Sequence, residues 1–277
     1  MKRVAVLGSS GQIGSHLVPY LKERDYEVVG YDIVPSETTD HVVDLSVLNG
    51  FGCSEIMDID FVYFLAFDVG GSRYLKQYQH TTDFMHNNLA LMSNVFKALK
   101  SSHIPFIFTS SQMANMSHSP YGLLKHIGEL ITKSMGGVVV KFWNVYGVEH
   151  DLDKAHVITD FIIKARDTRK IDMMTDGTEV RQFLYADDCS KCLEILAQNY
   201  SQIDRDKELH ITNFEWHSIL ETANMIAEHF PGCEIIPSAS KDTVQQDKRN
   251  EPDPYILNYW KPETGLSTGI KTIINHM

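Results

Sequence analysis

Short runs of β-branched and aromatic residues alternate along the chain with longer segments whose apolar positions recur every three to four residues. This is the pattern of βαβ units around a mainly parallel sheet. Strands are predicted over 3–7, 27–31, 41–44, 61–66, 106–109 and 138–142, apolar on both faces as strands sandwiched between helix layers are. Between them, Phe84, Asn88, Leu91, Val95, Phe96 and Leu99 fall at helical spacing over 84–99, and Leu124, Ile127, Leu130 and Ile131 do so over 121–134. Beyond about residue 148 the rhythm changes to loops with helices predicted over 158–169, 187–198 and 216–229, the last stopped by Pro231-Gly232. The fold class is therefore α/β: a doubly wound parallel sheet over 1–150 with a return segment over 178–212, interleaved with a smaller C-terminal lobe over 151–277. The polar stretch 238–254 reads as a surface loop, because apolar Tyr255, Ile256, Leu257 and Trp260 follow it.

The first strand runs directly into Gly8-Ser9-Ser10-Gly11-Gln12-Ile13-Gly14 and then a helical pattern. A tight turn at Gly8, close backbone approach at Gly11 and helix–strand packing at Gly14 would set a helix N-terminus against a pyrophosphate. Asp32 closes the next strand about twenty residues on, where a carboxylate can accept ribose hydroxyls. The same acid repels a 2′-phosphate, and residues 33–40 offer no Lys or Arg to hold one, so NAD is expected rather than NADP. Asp44 reads equally as an adenine contact or as a cap.

Tyr121 and Lys125 stand four residues apart on one helix face. An ammonium beside a phenol favours the phenolate, so Tyr121 is expected to lose its proton more readily and serve as a base, with Lys125 also free to hold a ribose hydroxyl. The strand before them ends in Thr109-Ser110-Ser111, at the carboxyl edge where open parallel sheets bind ligands.

These residues resemble the extended short-chain dehydrogenase/reductases, and among them the NAD-dependent nucleotide-sugar epimerases and dehydratases, over nearly the whole chain. The resemblance implies a Rossmann-type fold, with Ser111, Tyr121 and Lys125 as the catalytic group. It implies that Gly8, Ser10, Gly11, Gln12, Ile13, Gly14, Asp32, Asp44, Leu45, Leu65, Ala66, Phe67, Asn88, Thr109, Tyr121 and Lys125 bind the cofactor. Gly70, Gly71, Ser111, Gln112, Asn144, Arg181 and Arg249 would border the substrate, with Asn144 and Arg181 on its diphosphate. Trp260-Lys261-Pro262 is similar to the family's C-terminal signature. Family members often dimerise through the helices predicted at 84–99 and 121–134, so a homodimer is expected.

Three departures shape the expected chemistry. Tyr121 follows Ser111 by only ten positions, a shorter connection than the family's usual one, which predicts a more open substrate side. Gln112 and Met113 stand where family dehydratases carry an Asp-Glu pair and decarboxylases a Glu, so water elimination loses its usual catalyst. Lys248-Arg249 match the second phosphate-binding arginine only loosely. The reading is epimerisation of a nucleotide-activated sugar through a transient keto intermediate. The alternatives are a nucleotide-sugar ketoreductase, then a dehydratase, or a non-catalytic dinucleotide-binding protein.

Composition narrows the partners. Among 277 residues, 36 acidic side chains against 25 Lys and Arg give a net charge of −11, which argues against nucleic acid and membrane surfaces. No window approaches the roughly 18 apolar residues of a membrane span, and no leader pattern opens the chain, so a soluble cytoplasmic protein is expected. The four cysteines have no disulfide-framework spacing; Cys189 and Cys192 read as buried helix thiols, His118 as a solvated loop residue, and no metal site is expected.

Overall fold

A computed structural model describes residues 2–47, 51–245 and 251–277. Strand β1 (Arg3–Leu7) leads into helix α1 (Gly14–Lys22), followed by β2 (Glu27–Asp32), β3 (His41–Val42) and β4 (Phe61–Phe64). Helices α2 (Ser72–Tyr78) and α3 (Thr82–Ser102) precede β5 (Phe106–Ser111), α4 (Pro120–Ser134), β6 (Val138–Phe142) and β7 (Asn144–Tyr146). Then come α5 (Val157–Thr168), β8 (Lys170–Asp172), β9 (Val180–Arg181), β10 (Phe183–Tyr185), α6 (Ala186–Gln198) and β11 (Leu209–Ile211). The chain closes with β12 (His217–Ser218), α7 (Ile219–Ala227), β13 (Glu234–Ile236) and α8 (Leu266–His276).

Seven strands form one sheet in the order β11-β6-β5-β4-β1-β2-β3, every pair parallel. The order reverses between β1 and β4, so the loops leaving their carboxyl ends diverge and open a crevice there. This is the doubly wound α/β fold expected from the sequence. One buried cluster under the sheet joins Val4, Val6, Tyr63 and Ile107 to α1 and α6, and the other joins Ala5, Leu7, Phe64 and Phe108 to α3 and α4. A third cluster lies apart, built from α5, α7 and α8 around Ile162, Phe183, Ala223 and Ile270.

Several predicted boundaries shift. The third strand stops at Val42 because the Asp44 carboxylate takes the Ser46 amide and hydroxyl at 2.8 and 2.6 Å, making a turn instead. The strand predicted to reach Ala66 ends at Phe64, while β5 continues to Ser111 alongside β6. The helix predicted from Trp216 begins only at Ile219, because Ser218 and Glu221 form a capping box and residues 217–218 pair with β9.

Candidate functional site

The crevice at the sheet's switch point is a cleft of about 1630 Å³ running from the glycine loop to α5 and the 241–245 segment. At its cofactor end Gly8 holds φ +89°, and an added Cβ there would lie 2.7 Å from Ala66 N, so the turn requires glycine. A Cβ on Gly14 would lie 2.1 Å from Gly8 O, whereas on Gly11 it would meet only Gly8 O, at 3.5 Å. The loop is thus closed inward at Gly14 and open at Gly11, and no side chain caps the first turn of α1. Such a cradle of backbone in front of a helix N-terminus fits a pyrophosphate. Gln12 lines the cleft with its side-chain amide engaged, Nε2 donating to Val145 O at 2.8 Å.

Asp32 accepts from Ser10 N at 2.9 Å and Val34 N at 3.0 Å, which ties the loop to the end of β2 and fixes the carboxylate at the cleft. Asp44 and Leu45 line the same end. Leu65, Ala66 and Phe67 form the floor after β4. Asn88, fully buried on α3, holds the loop beyond them through Asp68, accepting its N–H at 2.8 Å and donating to its carbonyl at 3.2 Å. Gly70 and Gly71 line the cleft where residues 154–156 pack over them; a Cβ on Gly71 would lie 2.4 Å from Ala155 O.

Ser111, Tyr121 and Lys125 converge across the cleft from Asp32. A short 3₁₀ turn, Gln112–Asn115, follows β5, and Ser111 Oγ accepts the Met113 amide at 3.1 Å as its cap. Ser119 caps α4 through Gly122 N at 3.1 Å, with Pro120 in the first turn. Gly122 permits the closeness of turn and helix, since a Cβ there would lie 2.1 Å from Met113 O. This is how ten residues suffice to return Tyr121 to Ser111. Lys125 Nζ donates to Thr109 O at 2.7 Å and sits 3.8 Å from the centre of the Phe67 ring. Thr109 spends its own hydroxyl on Phe64 O at 3.1 Å, so its carbonyl rather than its side chain serves the site.

Electrostatics here correct one expectation. Burial pushes the Tyr121 phenol up to about 12, against a Ser111 hydrogen bond that lowers it, so the isolated protein does not favour phenolate. Burial likewise pulls the Lys125 ammonium down to about 7, opposed by the charge of Glu129. Desolvation outweighs the mutual support of cation and phenol that spacing alone implies.

The substrate side departs further. Gln112 does not line the cleft; the 3₁₀ turn rotates it inward, where Nε2 donates to Gln245 Oε1 at 3.1 Å. Arg181 does line it, but its guanidinium donates to Val180 O at 2.7 Å and pairs with Asp242, so it is already engaged where a free phosphate ligand was expected. Asn144 lines the cleft with Nδ2 on Gln182 O at 3.1 Å. Arg249 lies outside the described residues. Thr243, Val244 and Gln245 also line the cleft, Val244 being buried in the same apolar cluster as Met113 and Tyr121.

Several groups at the cleft carry no sequence signal. Asp68 Oδ1 accepts from Tyr74 OH at 2.6 Å and Lys154 Nζ at 3.0 Å, joining the β4 loop to the segment before α5. Buried Glu149 holds His156 by Nδ1 at 2.7 Å and by its amide at 2.9 Å; that contact draws the carboxyl below its usual range against burial, which acts to raise it. Cys189 and Cys192 are buried, burial raising both thiols, and His118 is exposed. Among the described residues, no helix is long and apolar enough to cross a membrane, and no group of three or more His, Cys, Asp or Glu is placed to hold a metal ion.

Comparison with known proteins agrees with this geometry. The putative UDP-glucose 4-epimerase of Methanocaldococcus jannaschii is 26% identical over 99% of this chain and 98% of its own length. The UDP-N-acetylglucosamine 4-epimerase of Methanobrevibacter ruminantium, solved with UDP-N-acetylmuramic acid, superposes with a TM-score of 0.81 at 22% identity, covering 100% of this chain and 99% of its own. A partial-consensus L-threonine 3-dehydrogenase superposes with a TM-score of 0.83 at 17% identity, covering 99% and 98%, so the shared fold alone does not select a substrate. The profile of the NAD dependent epimerase/dehydratase family matches residues 4–212, and the chain belongs to that family of NAD-dependent enzymes.

Proposed function

We propose that the protein epimerises a nucleotide-activated sugar through a transient keto intermediate. The observation that carries the reading is the meeting of Ser111, Tyr121 and Lys125 in one cleft with the glycine loop, while Gln112 and Met113 supply no carboxylate for dehydration. Similar proteins named as UDP-sugar 4-epimerases support a sugar nucleotide as the substrate class.

In this reading Gly8, Gly11, Gly14, Asp32 and the 65–68 floor hold NAD, which when bound accepts a hydride at its nicotinamide and later returns it. Tyr121 takes the proton of the sugar hydroxyl and gives it back after the keto-sugar has turned. Ser111 hydrogen-bonds the reacting oxygen and opposes the burial that otherwise keeps Tyr121 protonated. Lys125 contributes positive charge one helical turn away and binds a ribose hydroxyl. Arg181 and Asn144 hold the diphosphate, Arg181 exchanging Asp242 for it, and this anchoring leaves the sugar free to rotate.

We also propose a homodimer. Leu89 on α3 and Leu123, Ile127 and Leu130 on α4 are 40–56% exposed, and the last three fall at helical spacing on one stripe.

The test is incubation of the purified protein with UDP- and GDP-hexoses and NAD, read by NMR for the inverted sugar. Epimer formation that Tyr121→Phe abolishes without releasing NAD supports the reading. Net consumption of NADH with a keto-sugar points to the reductase, loss of water to the dehydratase. No turnover on any sugar, with NAD still bound, points to the binding protein.

A further inference from the structure

Helix α4 carries a buried carboxylate that the cleft chemistry above leaves unused. Glu129 stands one turn beyond Lys125, 4% exposed and behind the cleft wall rather than on it. Its Oε1 accepts the Ser110 hydroxyl at 2.5 Å. Its Oε2 lies 3.5 Å from Lys141 Nζ on β6 and 3.5 Å from Nδ1 of half-exposed His126 on its own helix.

Lys141 is chiefly engaged elsewhere, donating to Glu208 Oε1 at 2.7 Å and Asn115 Oδ1 at 3.3 Å. Glu208 Oε2 in turn faces Nε2 of His210 at 2.8 Å, and Nδ1 of that ring faces the Trp143 indole at 3.1 Å. An indole N–H only donates, so Nδ1 accepts from it and Nε2 is the nitrogen turned to the carboxylate. Among its lysine and glutamate side chains the cluster sets Lys125 and Lys141 against Glu129 and Glu208, with half-exposed His126 and the His210 ring at its edges. Lys125 is the cation with no hydrogen-bonded carboxylate among the described residues; a peptide carbonyl and the Phe67 ring are its neighbours. Both attract an ammonium, but neither carries the negative charge that balances one removed from water.

We infer that Glu129 is a positioning residue, the buried counter-charge that keeps Lys125 an ammonium inside the cleft while its bond to Ser110 fixes the end of β5 beside Ser111. Burial opposes the Lys125 charge and Glu129 is the group that opposes burial, which agrees with this placement. Glu129→Gln keeps the acceptor for Ser110 but leaves the two lysines against one glutamate, and Lys125, the less paired cation, releases its proton. Lys141→Met does the reverse, removing a competing cation and leaving more of the Glu129 field on Lys125.

The consequence for turnover rests on the role proposed above for Lys125; the charge itself can be read without substrate. The experiment is an NMR titration of lysine Cε resonances in the full-length protein, with Lys125→Met to assign the signal. Glu129→Gln is expected to lower the Lys125 midpoint by roughly one unit and Lys141→Met to raise it. The pH at which NADH affinity halves should move in the same two directions. Midpoints unchanged in both variants, or displaced in the same direction, overturn the inference, since a purely structural role predicts no opposition of sign. If Glu129→Gln does not fold, Lys141→Met alone decides: an upward midpoint supports the inference and an unmoved or lowered one overturns it. Loss of epimerase activity on every sugar, with these shifts intact, would count against the proposed function and not against this role.

Discussion

Two alanine substitutions in the glycine loop separate what the fold needs from what the cofactor needs. At Gly14 a Cβ would fall 2.1 Å from Gly8 O and 2.7 Å from Ser9 Cα, backbone atoms with no rotamer to escape into. The loop must move, at a cost of roughly 1–3 kcal/mol. At Gly11 the same Cβ meets only Gly8 O, at ordinary contact distance, and the residue is not among the positive-φ glycines. Alanine there is tolerated by the free protein and stabilises it by up to about 1 kcal/mol through the unfolded chain. Its methyl instead occupies the space into which the pyrophosphate would come. Displacing the phosphate from even one backbone N–H forfeits about 1.5–3 kcal/mol, or some ten- to hundredfold in affinity. Thermal melts of the NAD-free protein and fluorescence titration with NADH read the two effects. For a chain of this size 1 kcal/mol corresponds to about 2–4 °C. Gly11→Ala should leave Tm within about 4 °C of wild type while weakening NADH at least about tenfold. Gly14→Ala should lower both. A Gly11→Ala protein that binds NADH as wild type does would show that the loop does not face the pyrophosphate and would refute the placement of the cofactor.

Tyr121→Phe removes the hydroxyl that shares a hydrogen bond with Ser111; NADH binding should persist while kcat falls by about 10²–10⁴, measured by coupled assay on whichever sugar nucleotide the NMR screen turns over. Glu208 is drawn down to about 2, first by its bond from His210, so its stabilisation is present above the ordinary carboxylate range and lost as pH falls through about 2. Glu208→Gln should therefore cost roughly 1–2 kcal/mol in urea unfolding at pH 7, after discounting for a side chain 38% exposed, and the difference should shrink steadily below pH 4. Leu130→Glu with Ile127→Glu places charge on the exposed stripe of α4; if the proposed dimer forms, sedimentation should show the wild type as a dimer and this variant as a monomer.

The parts of the site that the sequence makes legible are those in which neighbours in space are also neighbours along the chain. Gly8, Gly11 and Gly14 form one loop, Asp32 ends the adjacent strand, and Tyr121 and Lys125 share a helix face, so strand order and helical spacing suffice to bring them together. The sheet is legible for a related reason: strands buried on both faces are continuous apolar runs, and the predicted 3–7 and 138–142 coincide with β1 and β6. Failure begins where a single turn changes which way a residue points. Gln112 follows a strand that alternates regularly, but the Ser111-capped 3₁₀ turn carries it away from the cleft, and only Gly122, ten positions on from it, hints that turn and helix touch.

Arg181 shows a second kind of failure, since its partner Asp242 lies sixty-one residues away in a segment without periodicity. Glu129 is intermediate: its spacing from Lys125 is visible, yet the Lys141–Glu208 pair that leaves its charge available comes from β6 and the approach to β11. The walls that would face a sugar are drawn largely from residues 149–156, 174–181 and 241–245, which are mostly irregular and are held by long-range contacts. The fold around the cleft is thus one that a dehydrogenase named for a quite different substrate can share, whereas these irregular segments are where local pattern imposes little. A family assignment and an unassigned sugar are what that distribution of constraint produces.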